Sequence, residues 1–266
     1  MCRPISGIIT KDKILFSEIE HSHTAILEEY GIENSRKNAE TLFVRAELYP
    51  QNQDMFSSIA DWKFNVDQDI IPEWFVKEHE ELRMREAVKV YAQNYIHVGK
   101  NCFELSSGLH WIKDCKNVSL LGSAKVKQLI SSQVGEMRGS SQVGEMRESS
   151  QVGKMWGSSQ VGMMRESSQV GEMWESSQVG KMWGSSQVGE MRESSQVGEM
   201  WESSQVGKMW GSSQVTISEI WADNVNHENI TLCNNAIIKD RRTKTIYQNG
   251  DWKLVSIQNP STAKTI

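Results

Sequence analysis

No cysteine motif, long apolar run or basic stripe organises this 266-residue sequence. Its four cysteines, Cys2, Cys102, Cys115 and Cys233, are scattered and never fall in C-x-x-C spacing. That excludes a zinc ribbon or a dense disulfide framework, and reduced thiols are expected. No stretch approaches the roughly 18 apolar residues of a membrane span. Residues 1–4 lead into polar sequence without an apolar h-region, so no secretory signal is read and a cytoplasmic setting is expected. The sequons at Asn117 and Asn229 are therefore taken as chance. Positive charge is also scarce: 29 Lys and Arg face 34 Asp and Glu, a net −5. This balance speaks against nucleic-acid binding.

What is present is a repeat. From Ser131 the chain reads S-S-Q-V-G-x-M-x-x nine times without insertion, and a tenth copy breaks off at Val215. The sixth place is mostly Glu or Lys, the eighth Arg or Trp, the ninth Gly or Glu. In a straight helix one repeat makes two and a half turns, so successive valines would face opposite sides. In a flat strand an odd period flips them too. Ser-Ser and one Gly per unit are also poor helix formers. Only a chain that turns back on itself can bring Val over Val, so the fold class is mainly β: a parallel β-solenoid with coils about 4.8 Å apart.

Size and polarity suggest that Val134 and Ser132 point inward, Gln133 outward, that Gly135 makes the bend and that Met137 fills the corner. A coil of about 18 residues, two units facing each other, gives a thin interior that Ser, Val and Met can fill. The runner-up is a three-unit coil of about 27 residues, because K-M-W-G recurs at Lys154, Lys181 and Lys208. A three-unit coil would stack those lysines, an unfavourable ladder. Looser copies begin at Cys115, Ser123 and Ala222, placing solenoid at 101–238 with near-identical repeats at 131–211.

Residues 1–100 read as a small α+β domain. Strands are expected at 6–10 and 14–17 around a turn at Lys11-Asp12-Lys13, a helix at 18–30 stopped by Gly31, and strands at 41–49 and 61–66. A long helix then runs over 73–95 with Pro72 in its first turn. Residues 239–266 read as a C-terminal β cap. Strands are expected at 237–238, 243–247 and 252–257, with a hairpin turn at Asn249-Gly250-Asp251. Such a hairpin would cover the open solenoid end.

Two resemblances follow. The period equals that of the calcium-binding RTX nonapeptide β-roll, but the G-G-x-G-x-D motif is replaced by copies such as Gly135-Glu136-Met137-Arg138-Gly139-Ser140, without any Asp. Calcium binding is not carried over. The whole chain also resembles a group of uncharacterised bacterial and phage proteins, through Trp62-Lys-Phe64-Asn-Val66-Asp67-Gln68-Asp69-Ile-Ile-Pro72-Glu73-Trp74-Phe75. In that group a small α+β domain precedes a repetitive solenoid. The resemblance implies the architecture and brings no activity.

No catalytic residue or metal site is assigned. His21 and His23 diverge if helical and read as solvated polar residues. Cys2 lacks the M-C-G-I start of N-terminal-nucleophile amidohydrolases, and Asp67 or Asp69 reads as a helix N-cap rather than a cation ligand. The strongest lead is the eighth position: Arg138, Arg147, Trp156, Arg165, Trp174, Trp183, Arg192, Trp201 and Trp210. Facing outward, these would form aromatic–cationic rows suited to a protein or glycan. The competing account is that they cover the coil edge by cation–π packing.

The expectation is thus a non-enzymatic binding or structural scaffold, without cofactor, metal, nucleic acid or membrane, and open to self-association. The rival is an enzyme with its active site in residues 1–100.

Overall fold

The computed structural model describes residues 4–18, 20–222 and 224–248. The chain divides into two compact units. One holds the chain up to Val98 together with Gly108–Trp111; the other holds Gly99–Ser107 and the chain from Ile112 on.

The first unit is built on a four-stranded antiparallel sheet. Its strands are β1 (Ile5–Thr10), β2 (Ile14–Leu15), β3 (Phe43–Tyr49) and β4 (Lys63–Val66), in the order β2-β1-β3-β4. Alternation decides which residues face which layer. Val44, Ala46 and Leu48 point to one side, with Ile5 and Ile9, and pack on Met84, Val88 and Tyr91 of α3 (Lys77–Tyr95). Phe43 and Ile8 point to the other side, against Ile26 and Leu27 of α1 (His23–Glu29) and Ala39 of α2 (Arg36–Thr41).

The expected strand pair around Lys11–Lys13 forms, and Gly31 ends α1 with φ of 64°. Three expectations shift. Helix α1 starts at His23 rather than residue 18, because Ser22 is extended and its hydroxyl accepts from the Ala25 amide. Residues 36–41 form α2, capped by Ser35, so β3 begins at Phe43 and Leu42 is exposed. Helix α3 begins at Lys77, with Pro72 in the turn before it. Its N-cap is Val76, so neither Asp67 nor Asp69 caps it.

The second unit is a parallel β-solenoid. Val134 pairs with Val152 and Val143 with Val161, so one coil is two repeat units and the three-unit alternative is ruled out. Each unit contributes one strand, Gln133–Met137 in the first, and alternate units build two facing sheets. Val, Met and the second Ser of every unit are buried, giving stacked columns inside the coil. The less regular strands Lys116–Leu120 and Lys125–Ile130 carry Val118 and Val126 into the same columns.

The bend is not at Gly135. Each return turn is centred on the ninth position of one unit and the first of the next, where the Arg147 carbonyl accepts from the Ser150 amide at 3.2 Å. The ninth residue is left-handed in all nine units, with φ from 55° to 70°, whether it is Gly139 or Glu148. Gly135 instead lies inside the strand and kinks it. Val134 and Met137, three apart, both point inward, while Gly135 and Glu136 both face out. A regular strand would set Val134 and Met137 on opposite faces. Met137 therefore fills the end of the strand's inner face, not a corner.

Why this place is glycine follows from the stacking. A Cβ on Gly153 would lie 2.5 Å from the Gly135 carbonyl oxygen one coil earlier, and the same close approach recurs up the rod.

After Ile217 the regularity ends. Ala222 and Val225 remain in the core, but they flank a turn (Val225 N–H to Ala222 C=O, 3.0 Å) rather than the expected strand. The next rungs are Thr231–Leu232 and Ile237–Asp240. Ile237–Asp240 then forms an antiparallel hairpin with Thr245–Gln248. The expected turn at 249–251 and strand at 252–257 lie outside the described residues.

Candidate functional site

The two-unit coil sorts the eighth-position residues into two edges. Arg138, Trp156, Trp174, Arg192 and Trp210 share one, and Arg147, Arg165, Trp183 and Trp201 the other. Neighbouring indoles stack: Trp156 on Trp174 at 4.8 Å between centroids and 13° from parallel, Trp183 on Trp201 at 4.5 Å and 10°. These spacings match the rise of one coil. The ring faces are therefore turned along the rod onto one another, and the ring edges are turned outward.

Each row is also held from its sides. Arg192 lies over the Trp174 ring at 4.4 Å, and the Trp174 indole N–H donates to Glu172 at 2.8 Å. Trp221 leans on both Trp183 and Trp201, at 6.2 and 6.0 Å. The arginines pair with sixth-position glutamates: Arg138 with Glu136, Arg147 and Arg165 with Glu145, and Arg192 with Glu190. Packing and exposure coexist, since most of these indoles are half-buried while Trp210 is 39% and Trp221 65% exposed.

Under the same register each sixth-position lysine has a glutamate one coil away, while Glu172 and Glu190 stack on each other. Lys154 sits one coil from Glu172 at 3.6 Å, Lys208 from Glu190 at 3.8 Å and Lys181 from Glu199 at 3.8 Å. The three-unit recurrence of lysine, set on a two-unit coil, therefore separates the lysines and puts each beside a glutamate. Each such exposed pair contributes little alone, at most about 1 kcal/mol.

The first unit brings together residues that the sequence separates widely. His23 opens α1, Glu47 lies on β3, and Asp67 follows β4. The His23 side chain is only 10% exposed, its Nδ1 is 3.3 Å from Asp67 Oδ2 and its Nε2 is 3.1 Å from the Ala46 carbonyl. One potential ligand atom from each of His23, Glu47 and Asp67 falls within 4.8 Å of the others. Glu47 is held by the hydroxyls of Ser6, at 3.4 Å, and Tyr49.

Neither histidine is a solvated helix-start residue. His21 goes elsewhere, with Nε2 3.0 Å from the Tyr91 hydroxyl and Nδ1 3.3 Å from the Pro4 carbonyl. Burial pushes the Tyr91 hydroxyl's pKa far above its ordinary value, so it stays a neutral partner. Glu47 was missed because sequence distance hid it. The available signal was its place among the outward positions of an alternating strand.

Beside this cluster, a cleft of about 460 Å³ is lined by Tyr49, Pro50, Gln51, Asp61, Lys63 and Asn65. Asn65 pairs directly with Glu47 in the sheet, and directly opposed residues share a face. The cleft is not lined by His21 or His23, and Cys2 lies outside the described residues. The described cysteines Cys102, Cys115 and Cys233 form no disulfide, and burial raises the Cys115 pKa.

No known protein family, curated protein or solved structure matches this chain. Among the described residues no helix is long and apolar enough to cross a membrane.

Proposed function

We propose that this chain is a non-enzymatic scaffold that presents its two edge rows of Trp, Arg and Glu repeatedly to a protein partner. The observation carrying this reading is the register of the eighth position, which aligns nine Trp and Arg residues into two continuous rows. Indole stacking supports a protein rather than a glycan. Sugars dock on aromatic faces, and here the faces of Trp156 and Trp174, or Trp183 and Trp201, are occupied by each other. Ring edges beside Arg and Glu suit the mixed chemistry of a protein surface.

Repeat number is the variable such a scaffold tunes. One coil is two units, so losing one unit moves every later unit to the opposite sheet, whereas losing two keeps each row intact. The test uses a displayed-peptide library and a glycan array. Both are probed with the wild-type chain, with a variant carrying Trp→Arg at 156, 174, 183 and 201, and with a chain lacking residues 158–175. Arg occupies this place in other units, and circular dichroism establishes that the variant keeps the β-solenoid before its binding is read. The expected result is peptide binding that is lost in the Trp→Arg chain and weaker in the shortened one. Binding to glycans alone, or peptide binding indifferent to both changes, overturns the proposal.

A further inference from the structure

We propose that the N-terminal unit binds one divalent first-row transition-metal ion through His23 Nδ1 and the carboxylates of Glu47 and Asp67. The inference is independent of the solenoid edges. It starts from the imidazole, both of whose nitrogens face acceptors: the Ala46 carbonyl at Nε2 and the Asp67 carboxylate at Nδ1. With Nε2–H donating to the carbonyl, the space between Nδ1 and the carboxylate takes either a proton or a metal ion. An imidazole fixed by a backbone carbonyl on its other nitrogen is the arrangement that orients metal-bound histidines.

Three further observations agree. Glu47 is steadied by Ser6 and Tyr49, as ligating carboxylates commonly are by neighbouring donors. Arg45, the cation on the same strand nearest in sequence to Glu47, directs its guanidinium instead to Gln68, at 3.1 Å, and Asn34. Two carboxylates and a neutral imidazole supply the charge that balances a dication.

The donor set selects the ion. One nitrogen and two carboxylates, with no sulfur, suit Zn²⁺ or Mn²⁺ better than Cu⁺, and a nitrogen ligand argues against Ca²⁺. Three protein ligands leave at least one coordination position open, the pattern of sites that take water or substrate rather than purely structural ions. The cleft lined by Tyr49, Lys63 and Asn65 lies on the same sheet face, and none of the three proposed ligands lines it.

The experiment uses the full chain, stripped with chelator and with its thiols alkylated. It is titrated with Zn²⁺ by calorimetry and with Mn²⁺ by electron paramagnetic resonance of the free ion. The expected result is one equivalent bound per chain by at least one of the two ions. Binding should be weakened roughly tenfold or more in Asp67→Asn and in Glu47→Gln, and lost in the double variant. Asp67 is 59% exposed at its side chain, so Asp67→Asn should fold even if Glu47→Gln does not, and it then decides alone. No stoichiometric binding of either ion, or binding unchanged in Asp67→Asn or the double variant, overturns the proposal and leaves His23–Asp67 as an ion pair.

Discussion

Trp201 lies flat on Trp183, one coil earlier, with ring centroids 4.5 Å apart and planes 10° from parallel. Stacked aromatics contribute about 0.5–1.5 kcal/mol beyond area burial. Trp183→Ala and Trp201→Ala should each lower stability, and the double variant should cost less than their sum by about 1 kcal/mol. The near-ultraviolet dichroism of the indole pair should fall in either single variant to the level of the double. Strictly additive losses would mean that the rings only cover the coil edge and do not act on each other.

The strand glycines offer a control within the repeat. A Cβ at Gly153 would meet the Gly135 carbonyl oxygen at 2.5 Å, whereas a Cβ at Gly135 comes no nearer than 3.9 Å to the Val118 carbonyl. Gly153→Ala should therefore force adjacent coils apart and cost about 2 kcal/mol or more. Gly135→Ala should fall within about 1 kcal/mol of wild type. Thermal melting of the two variants compares them directly, and equal melting temperatures would remove close coil contact as the reason for glycine.

These two relationships mark what was legible in the sequence and what was not. An odd period with invariant Val134 and its copies could bury a constant face only in a coil, and the incompatibility of stacked Lys154, Lys181 and Lys208 favoured two units per coil over three. The bend was misplaced because Gly135 looks like a turn residue. The left-handed position is the ninth, where glutamate stands in five units and glycine in only four, so composition does not mark it as a turn. The cluster in the first unit was less legible still. His23, Glu47 and Asp67 meet through strand pairing, and reading His21 with His23, or Asp67 with Asp69, looked only at neighbours in sequence. The register that pairs Glu47 with Asn65 is a property of the folded sheet.

The buried serine column contains hydroxyls of two kinds. Ser150 Oγ lies 2.7 Å from the Arg147 carbonyl and 2.8 Å from that of Leu129, while Ser177 Oγ is buried without a partner. A buried hydroxyl without a partner loses its water and gains nothing back, and its desolvation costs about 1–3 kcal/mol. Ser177→Ala should therefore leave stability unchanged or raise it by about 1 kcal/mol, and Ser150→Ala should lower it by a similar amount. Chemical denaturation of the two variants checks the contrast. A loss in Ser177→Ala as large as in Ser150→Ala would show that the whole column is hydrogen-bonded in solution.

At the far end of the solenoid, Asp240 holds Arg242 at 2.6 Å, and Arg242 in turn donates to the Ala222 and Val225 carbonyls. Burial alone would raise the Asp240 pKa, but hydrogen bonds and charge from Arg242 bring it below the ordinary carboxylate value. A carboxylate whose pKa is lower folded than unfolded stabilises the fold fully above its unfolded value, near about 4. That contribution is lost as pH falls through the folded value. Hydrogen exchange in the hairpin Ile237–Asp240 and Thr245–Gln248 should thus accelerate selectively below about pH 4, ahead of exchange in the central coils. Asp240→Asn should show the fast exchange already at neutral pH and lose that acid dependence, because it leaves the Arg242 charge without its partner at a cost of about 3 kcal/mol. A hairpin that exchanges alike in wild type and Asp240→Asn at neutral pH would mean that strand pairing, not the ion pair, fastens this end of the coil.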